Sequence, residues 1–398
     1  MHIYKILLIT ARIVAPPVDG GARYVYNTAK SLAERGHKLT FISFKSNKHV
    51  QSPELIEEFA DIIYQDFDYK KYGIVALLKS IIQAKPIIIV NRTNVRKMAL
   101  LLERIDFVPD LIFLEGIHAA EMIDYTRQKF PSTKLILRQA NVEYQLLKRQ
   151  AKITRNLFLK FFLNYQSKLM YKYEFNAFKK LDGISAISES DLQEFIKMHP
   201  TGNFFNVNIQ MNVNKDNVGS ETGNYLIAIS DWTWHPNMAG MKWFLELVYP
   251  ILIQRGVVFK LDVIGKGMND ENFAKYPEIN YLGFVENINK YYQDADIFIA
   301  PLIYGGGTKV KVIEALSHAM PIVTTSYGNE GINAIDGKGI MIGDSPILFA
   351  TKIQQLICNL TMRREMSDSA YSFAELNFDS KTIIDEFINE LDKIKGIG

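Results

Sequence analysis

The chain has 398 residues, with 46 Lys and Arg against 43 Asp and Glu, a formal net charge of +3, and hydrophobic and charged contents of 48% and 22%. That length accommodates two domains with a core each, and the composition is that of a soluble globular protein. A charge so close to neutral gives no reason to expect nucleic acid as a partner. The single cysteine, Cys358, excludes an internal disulfide and a cysteine zinc cluster and fits a reducing cytoplasm.

In chain order, the first apolar stretch, Lys5–Thr10, reads as a buried strand. It is short for a signal peptide, and Arg12 and Asp19 follow it with no cleavage-type end. Gly20-Gly21 then opens a helix running to about Arg35. Either the glycines let the backbone approach a ligand closely, or they make a plain turn. Leu39–Phe44 is a second strand. Asp66-Phe67-Asp68 has the spacing of a metal-binding acidic pair, but it reads as a surface loop. Leu111–Leu114 and Leu135–Leu137 are further strands, each followed by a helical pattern. Glu115 and His118 fall just after the first of these, at a strand end where chemistry collects. Residues 148–180 hold nine Lys or Arg and one acid, Glu174. Apolar and aromatic residues interleave with them at helical spacing, as in a basic amphipathic helix suited to an anionic membrane surface. An ordinary packed helix has the same periodicity. No apolar run reaches the roughly 18 residues that a membrane-crossing helix needs.

Residues 206–224 are polar and glycine-containing and read as a linker. A second strand–helix series begins at Tyr225–Ile229 and continues through Phe259–Ile264 and Ile297–Ala300. Trp232 and Trp234 read as core anchors. Gly265-Lys266-Gly267 lacks the third glycine of a dinucleotide fingerprint, because position 270 is Asp. Asp294 and Asp296 again have metal-pair spacing but precede a strand. No metal or other cofactor is expected from these acids. Lys381–Ile394 is an amphipathic helix at the end of the chain. Strands alternating with helices imply parallel sheets covered on both faces. The fold class is therefore α/β, with two Rossmann-like doubly wound domains facing a cleft. The boundaries expected are 1–205, a linker at 206–222, 223–375, and a last helix at 376–398.

The richest segment is PLIYGGGTKVKVIEALSHAMPIVTTSYGNEG, residues 301–331. Gly305, Gly306 and Gly307 lie between the strand Ile297–Ala300 and a helical run from Thr308 to His318, and a second strand starts at Ile322. A glycine turn at a helix N-terminus offers backbone N–H groups and a partial positive charge to an anion. Lys309 and Lys311 add cations. Glu314, three residues beyond Lys311, shares its helix face and suits ligand hydroxyls. A phosphorylated sugar or a nucleotide fits that set. His318 ends the helix, where a cation matches the dipole.

This run resembles the donor-site signature of glycosyltransferase family 4, whose members have the GT-B fold. The resemblance extends to Pro16, Pro17, Gly20, Gly21 and Arg23, to Arg138-Gln139-Ala140-Asn141-Val142-Glu143, and to Ser188-Glu189-Ser190-Asp191. It continues at Trp234-His235-Pro236-Asn237, Gly265-Lys266-Gly267 and Gly283-Phe284-Val285. Three positions depart from the family pattern. Gly306 stands where many members have a glutamate facing the donor sugar. Ser230–Asn237 lacks the usual Arg and Lys for the diphosphate. Ala140 replaces the usual His.

The resemblance implies a retaining, metal-independent glycosyltransferase that uses a nucleotide-diphosphate sugar. Gly20, Gly21, Gly305, Gly306, Gly307, Thr308, Lys309, Lys311, Glu314, Phe284 and Val285 would bind the donor. His118, Glu115 and Lys311 are the catalytic candidates, with the choice between His118 and Glu115 open. The acceptor would be a glycan or a lipid-linked compound, and 148–180 an anionic membrane contact on a cytoplasmic, peripheral protein. Gly306 and Ala140 keep a rival reading alive, a catalytically inactive nucleotide- or sugar-binding partner subunit. A sugar epimerase of the same fold is a third.

Overall fold

Two parallel sheets organise the chain. The structure is a computed structural model that describes residues 2–17, 19–46, 51–67, 73–92, 94–154, 156–215, 219–221, 223–268, 275–305 and 307–396. It divides into two units, Met1–Gln210 with Ile383–Gly398, and Met211–Thr382.

In the first unit, seven strands form one sheet. They are β1 (Lys5–Thr10), β2 (Lys38–Lys45), β3 (Asp61–Asp66), β4 (Leu111–Glu115), β5 (Lys134–Gln139), β6 (Gly183–Ala186) and β7 (Phe204–Asn206), in the order β3-β2-β1-β4-β5-β6-β7. The second unit has β8 (Tyr225–Ile229), β9 (Lys260–Ile264), β10 (Ile279–Gly283), β11 (Ile297–Ala300), β12 (Ile322–Thr324) and β13 (Ile340–Ile342), in the order β10-β9-β8-β11-β12-β13. The ladders are parallel, with Leu7 opposite Thr40 and Ile112, and Ile227 opposite Asp262 and Phe298. Each order is that of a doubly wound dinucleotide-type sheet, in which the chain reverses direction beside its first strand.

The central strands are apolar on both faces because helices cover both. Leu7, Ile9, Ile112, Leu114, Leu135 and Leu137 are buried in the first core, and Leu226, Ala228, Leu261, Val263, Ile297 and Ile299 in the second. In the first unit the helix Gly20–Glu34 starts at Asp19, whose carboxylate accepts from Ala22 N at 2.9 Å. In the second, the helix Val310–Ser317 follows β11.

Several expectations change. Five strands carried too weak a pattern to be read: β3, β6, β7, β10 and β13. They are short, or, as in DIIYQD, flanked by acids. Asp66 consequently ends a strand and is not in a surface loop, while Asp68 lies outside the described residues. The basic segment 148–180 is not one helix. It spans the end of the helix Glu143–Ile153 and all of Leu157–Phe178. The helix expected from Thr308 begins at Val310, which leaves Thr308 and Lys309 in the loop.

One close approach shapes the second unit. A Cβ added to Gly240, in the helix His235–Trp243, would lie 2.0 Å from the Pro301 carbonyl oxygen. That helix thus meets the turn after β11 backbone to backbone. Gly240→Ala is expected to destabilise the protein by about 1–3 kcal/mol through overpacking. Chemical denaturation measures it, and an unchanged midpoint would contradict the close approach.

Candidate functional site

A parallel sheet places all its strand C-termini on one edge, and in the second unit the loops at that edge carry the conspicuous residues. Ser230 follows β8, Gly265-Lys266-Gly267 follows β9, Phe284 follows β10, Gly305–Lys309 follows β11 and Glu330 follows β12. The switch in winding falls between β8 and β11, the place where such sheets open a crevice for ligands.

Lys311 crosses that switch. From the first turn of the helix Val310–Ser317 its Nζ donates to Ser230 Oγ at 2.9 Å and to Asn237 Oδ1 at 2.7 Å. Asn237 is held in turn by donating to the Asp231 carbonyl at 2.8 Å. Both acceptors of the ammonium are neutral. Burial, and secondarily the charge of Lys309, bring Lys311 down to about 7 from its ordinary 10.5. Below pH 7 the folded and unfolded chains both hold the proton. Between 7 and 10.5 the folded chain has released it and the unfolded chain has not. The contribution of Lys311 to stability therefore rises with pH through that window.

Around it the loop is built on glycine. Gly305 and Gly307 have φ of 144° and 67°, a region open to glycine and strained for other residues. Gly306 lies outside the described residues. Thr308 Oγ1 is buried with no hydrogen-bond partner among the described residues. A Cβ on Gly331 would come within 2.7 Å of that oxygen, so the glycine after Glu330 makes room for the threonine. Lys309 is buried. Its Nζ donates to the Gly307 carbonyl and lies 3.7 Å from Glu330 Oε2. Glu314 sits half-buried on the same helix, three residues beyond Lys311.

The loops after β8 and β9 are similarly tight. Gly265, at φ 123°, has the Ser230 carbonyl oxygen 1.7 Å from where a Cβ would be. Trp232 is buried and donates from Nε1 to the Ile264 carbonyl at 2.9 Å, which makes it the core anchor expected. Trp234 is not one. It is 62% exposed at the start of the helix His235–Trp243, where no strand covers it. Phe284 is 74% exposed and Val285 half-buried.

The remaining candidates belong to the first unit. Gly20 and Gly21 open their helix, but Asp19 already occupies its N-terminus and pairs with Arg12. Glu115 ends β4 with its side chain buried, its Oε1 2.8 Å from Arg138 Nη1. Arg138 also donates to Thr28 Oγ1 at 2.8 Å and stacks 4.4 Å over the Tyr24 ring. Burial pushes the Glu115 carboxyl up, against the charge of Arg138 pulling it down. His118 lies outside this ion pair, half-buried in the 3-10 turn Ile117–Met122. Asp296, one of the acids with metal-pair spacing, accepts from Ser220 Oγ and Tyr225 N, both at 2.9 Å.

Sequence reading missed Ser230 and Asn237 as partners of Lys311, and Glu330 as partner of Lys309. The signal was faint. The Ser230–Asn237 loop was searched for cations when it supplies acceptors for a cation from elsewhere.

The geometry gives Glu115 a partner inside its own unit. Glu115→Gln leaves the Arg138 guanidinium buried without a counter-charge and is expected to cost about 3–5 kcal/mol of stability. Urea denaturation checks it. A purely catalytic Glu115 gives the opposite pattern, turnover lost with the midpoint kept.

Comparison with known proteins agrees with this layout. Residues 223–359 match the family described as Glycosyl transferases group 1. A relative from Klebsiella pneumoniae, described as an uncharacterized 44.6 kDa protein in cps region, is 30% identical over 164 residues. The alignment covers 39% of this chain and 42% of that protein. Sucrose-phosphate synthase from Thermosynechococcus elongatus superposes with a TM-score of 0.69 at 12% identity, over 99% of this chain and all of the other. HepE from Anabaena, solved with UDP and glucose, gives 0.67 at 13% identity over 98% and 99% of the two chains. TarM from S. aureus, solved as a mutant with UDP and sugar ligands, gives 0.69 at 12% over 98% and 99%. The chain therefore has the GT-B fold, and its second unit carries the match to glycosyl transferases group 1.

Proposed function

We propose that the protein is a glycosyltransferase that moves a sugar from a nucleotide-diphosphate sugar to a hydroxyl acceptor, with retention and without a metal ion. The observation that carries this reading is Lys311, an ammonium with two neutral acceptors. It stands at the strand switch point beside Gly305, Gly307 and the partnerless Thr308 hydroxyl. A diphosphate supplies the negative charge that this group lacks.

In the reaction, the bond between the anomeric carbon and the β-phosphate oxygen breaks while the acceptor oxygen bonds to that carbon on the same face. The acceptor proton passes to the departing phosphate, and a nucleoside diphosphate leaves. Lys311, Lys309, Thr308 and the loop N–H groups stabilise charge on the leaving group where it develops. Glu314 accepts from the nucleotide ribose. Trp234 and Phe284 offer exposed aromatic faces for the base. UDP is the first nucleotide to test, because HepE and TarM were each solved with it. The acceptor is a glycan or a lipid-linked compound, met on the cytoplasmic side of a membrane. An inactive partner subunit draws no support from a donor loop whose described glycines, Thr308 and both lysines are in place.

Calorimetry with UDP tests the donor site. Lys311→Ala is expected to weaken binding by about 1.5–3 kcal/mol, the worth of a charge-assisted hydrogen bond. Near neutral pH the free Lys311 is partly deprotonated, so an arriving diphosphate raises its affinity for a proton. Binding in buffers of different ionisation enthalpy should then show proton uptake, absent in the variant. Equal affinity and equal proton uptake in both proteins would remove Lys311 from the site.

Turnover of the cognate nucleotide sugar is expected to survive excess chelator. Loss on chelation with rescue by added divalent cation would overturn the metal-independent mechanism.

A further inference from the structure

Two stretches of the first unit carry no acid at all. Residues 69–102 hold seven Lys or Arg and no Asp or Glu, and residues 144–173 hold the same numbers. They are remote in sequence, and the fold joins them. Gln166 Nε2 donates to Ser80 Oγ at 3.3 Å, and Ile87 N donates to Gln166 Oε1 at 2.8 Å. This sets the helix Ile74–Gln83 against the middle of the helix Leu157–Phe178.

The second of these is half of a hairpin. Ser167 Oγ donates to the Tyr144 carbonyl at 2.8 Å, and Glu174 accepts from the backbone N–H groups of Glu143 and Tyr144. The start of Glu143–Ile153 thus lies beside the end of Leu157–Phe178. The start of the second helix, at Leu157, is a tip about 25 Å from Glu174 at 1.5 Å per residue. From Leu163 onward that helix buries a stripe, but Leu157, Phe158, Leu159, Lys160 and Phe161 are exposed on every side. Phe158 is 89% exposed. The neighbouring helix turns its apolar side outward too, through Val75, Leu78, Ile81 and Ile82. Lys79, Lys160, Lys168 and Lys172 lie exposed among these residues, and none has an ion-pair partner among the described residues.

We propose that these two helices form one docking surface for an anionic lipid bilayer. Phe158, Phe161 and Ile82 enter the acyl boundary, and the lysines lie at the headgroups. A helix tip exposed all round, apolar but for Lys160, suits a fluid medium better than the one-sided groove of a folded partner. A second copy of the chain is disfavoured, because two acid-free basic faces repel. No helix among the described residues is long and apolar enough to cross a membrane, so the contact is with the surface. The inference goes beyond the donor reading and does not rest on it. It gives the acceptor a place, at a membrane.

The full chain is sedimented with vesicles of phosphatidylcholine alone and of phosphatidylcholine mixed with phosphatidylglycerol, with UDP binding followed in the same preparations. Binding is expected to the anionic vesicles only, and to weaken as salt shortens the screening length from about 10 Å at 0.1 M to about 3 Å at 1 M. Each lysine near an anionic surface is worth about fivefold in partitioning, so Lys160→Glu, Lys168→Glu and Lys172→Glu together should nearly abolish it. Phe158→Ser with Phe161→Ser should weaken it at any salt, and Leu78→Ser with Ile82→Ser should do the same. Thermal midpoint and UDP affinity are expected to stay at their wild-type values in these surface variants. Equal recovery in the supernatant with both vesicle types at low salt overturns the proposal. So does a lipid-free, concentration-dependent dimer abolished by the same substitutions. Wild-type binding by the Leu78/Ile82 variant overturns the two-helix surface. Loss of UDP binding with vesicle binding intact counts against the donor reading alone.

Discussion

The second unit turns on one ammonium group. Lys311 reaches from the helix after β11 to Ser230, at the end of β8, and to Asn237, so it ties together the elements that diverge where the sheet reverses its winding. Only a parallel sheet permits this, because only there do adjacent strands deliver their loops to the same edge. The tight glycines serve the same geometry. Gly265 lets the loop after β9 lie on the Ser230 carbonyl, and Gly240 lets the helix His235–Trp243 lie on the turn after β11. Both contacts fix acceptors that face Lys311. The charge itself gains little from neutral partners, and burial works against it. The arrangement positions the group without satisfying it electrostatically.

The first unit treats its buried charges in the opposite way. Arg138 is fully enclosed, yet it meets the Glu115 carboxylate, the Thr28 hydroxyl and the faces of Tyr24, Phe113 and Phe387. Phe387 belongs to the last helix, Ser380–Lys395, so this ion pair also holds the returning end of the chain against β4 and β5. Glu174 has a comparable task. It receives two backbone N–H groups at the start of the helix Glu143–Ile153, and burial pushes its carboxyl well upward. The run Arg138–Glu143, read from the sequence as a functional motif, is thus built into the frame at both ends.

The strands and their parallel order were legible because six-residue apolar runs such as KILLIT leave few alternatives. The glycine loop was legible for the same kind of reason, since three glycines before a helix have few other uses. What escaped was pairing across long distances in the chain. Lys311 and Ser230 are far apart in sequence, as are Ser80 and Gln166, and no local pattern encodes either contact. Short strands escaped as well, because three residues such as FFN carry no measurable period. Trp234 was misplaced by composition, because large aromatics are buried on average and nothing local marks the exception. The division between the helices ending at Ile153 and beginning at Leu157 was hidden by a helical periodicity in the sequence.

Arg138 and Lys311 then mark two different ways of burying a charge in this chain. A buried charge that has found its counter-charge, as Arg138 has in Glu115, is already paired, and removing either partner leaves the other buried and alone. A buried cation that has found only neutral acceptors, as Lys311 has, is held in place but still short of negative charge. The first kind resists ligands and the second attracts them. The same contrast applies at the surface. Lys85 is taken up by Glu121 at 2.7 Å, while Lys79 on the adjacent helix has no such partner among the described residues. Lys311 and the acid-free helices are thus two places where cations have no counter-charge among the described residues, and they are where the proposed anions would bind. The phosphate of a nucleotide and the phosphate of a lipid headgroup meet the same electrostatic requirement, one at a point and the other over a surface.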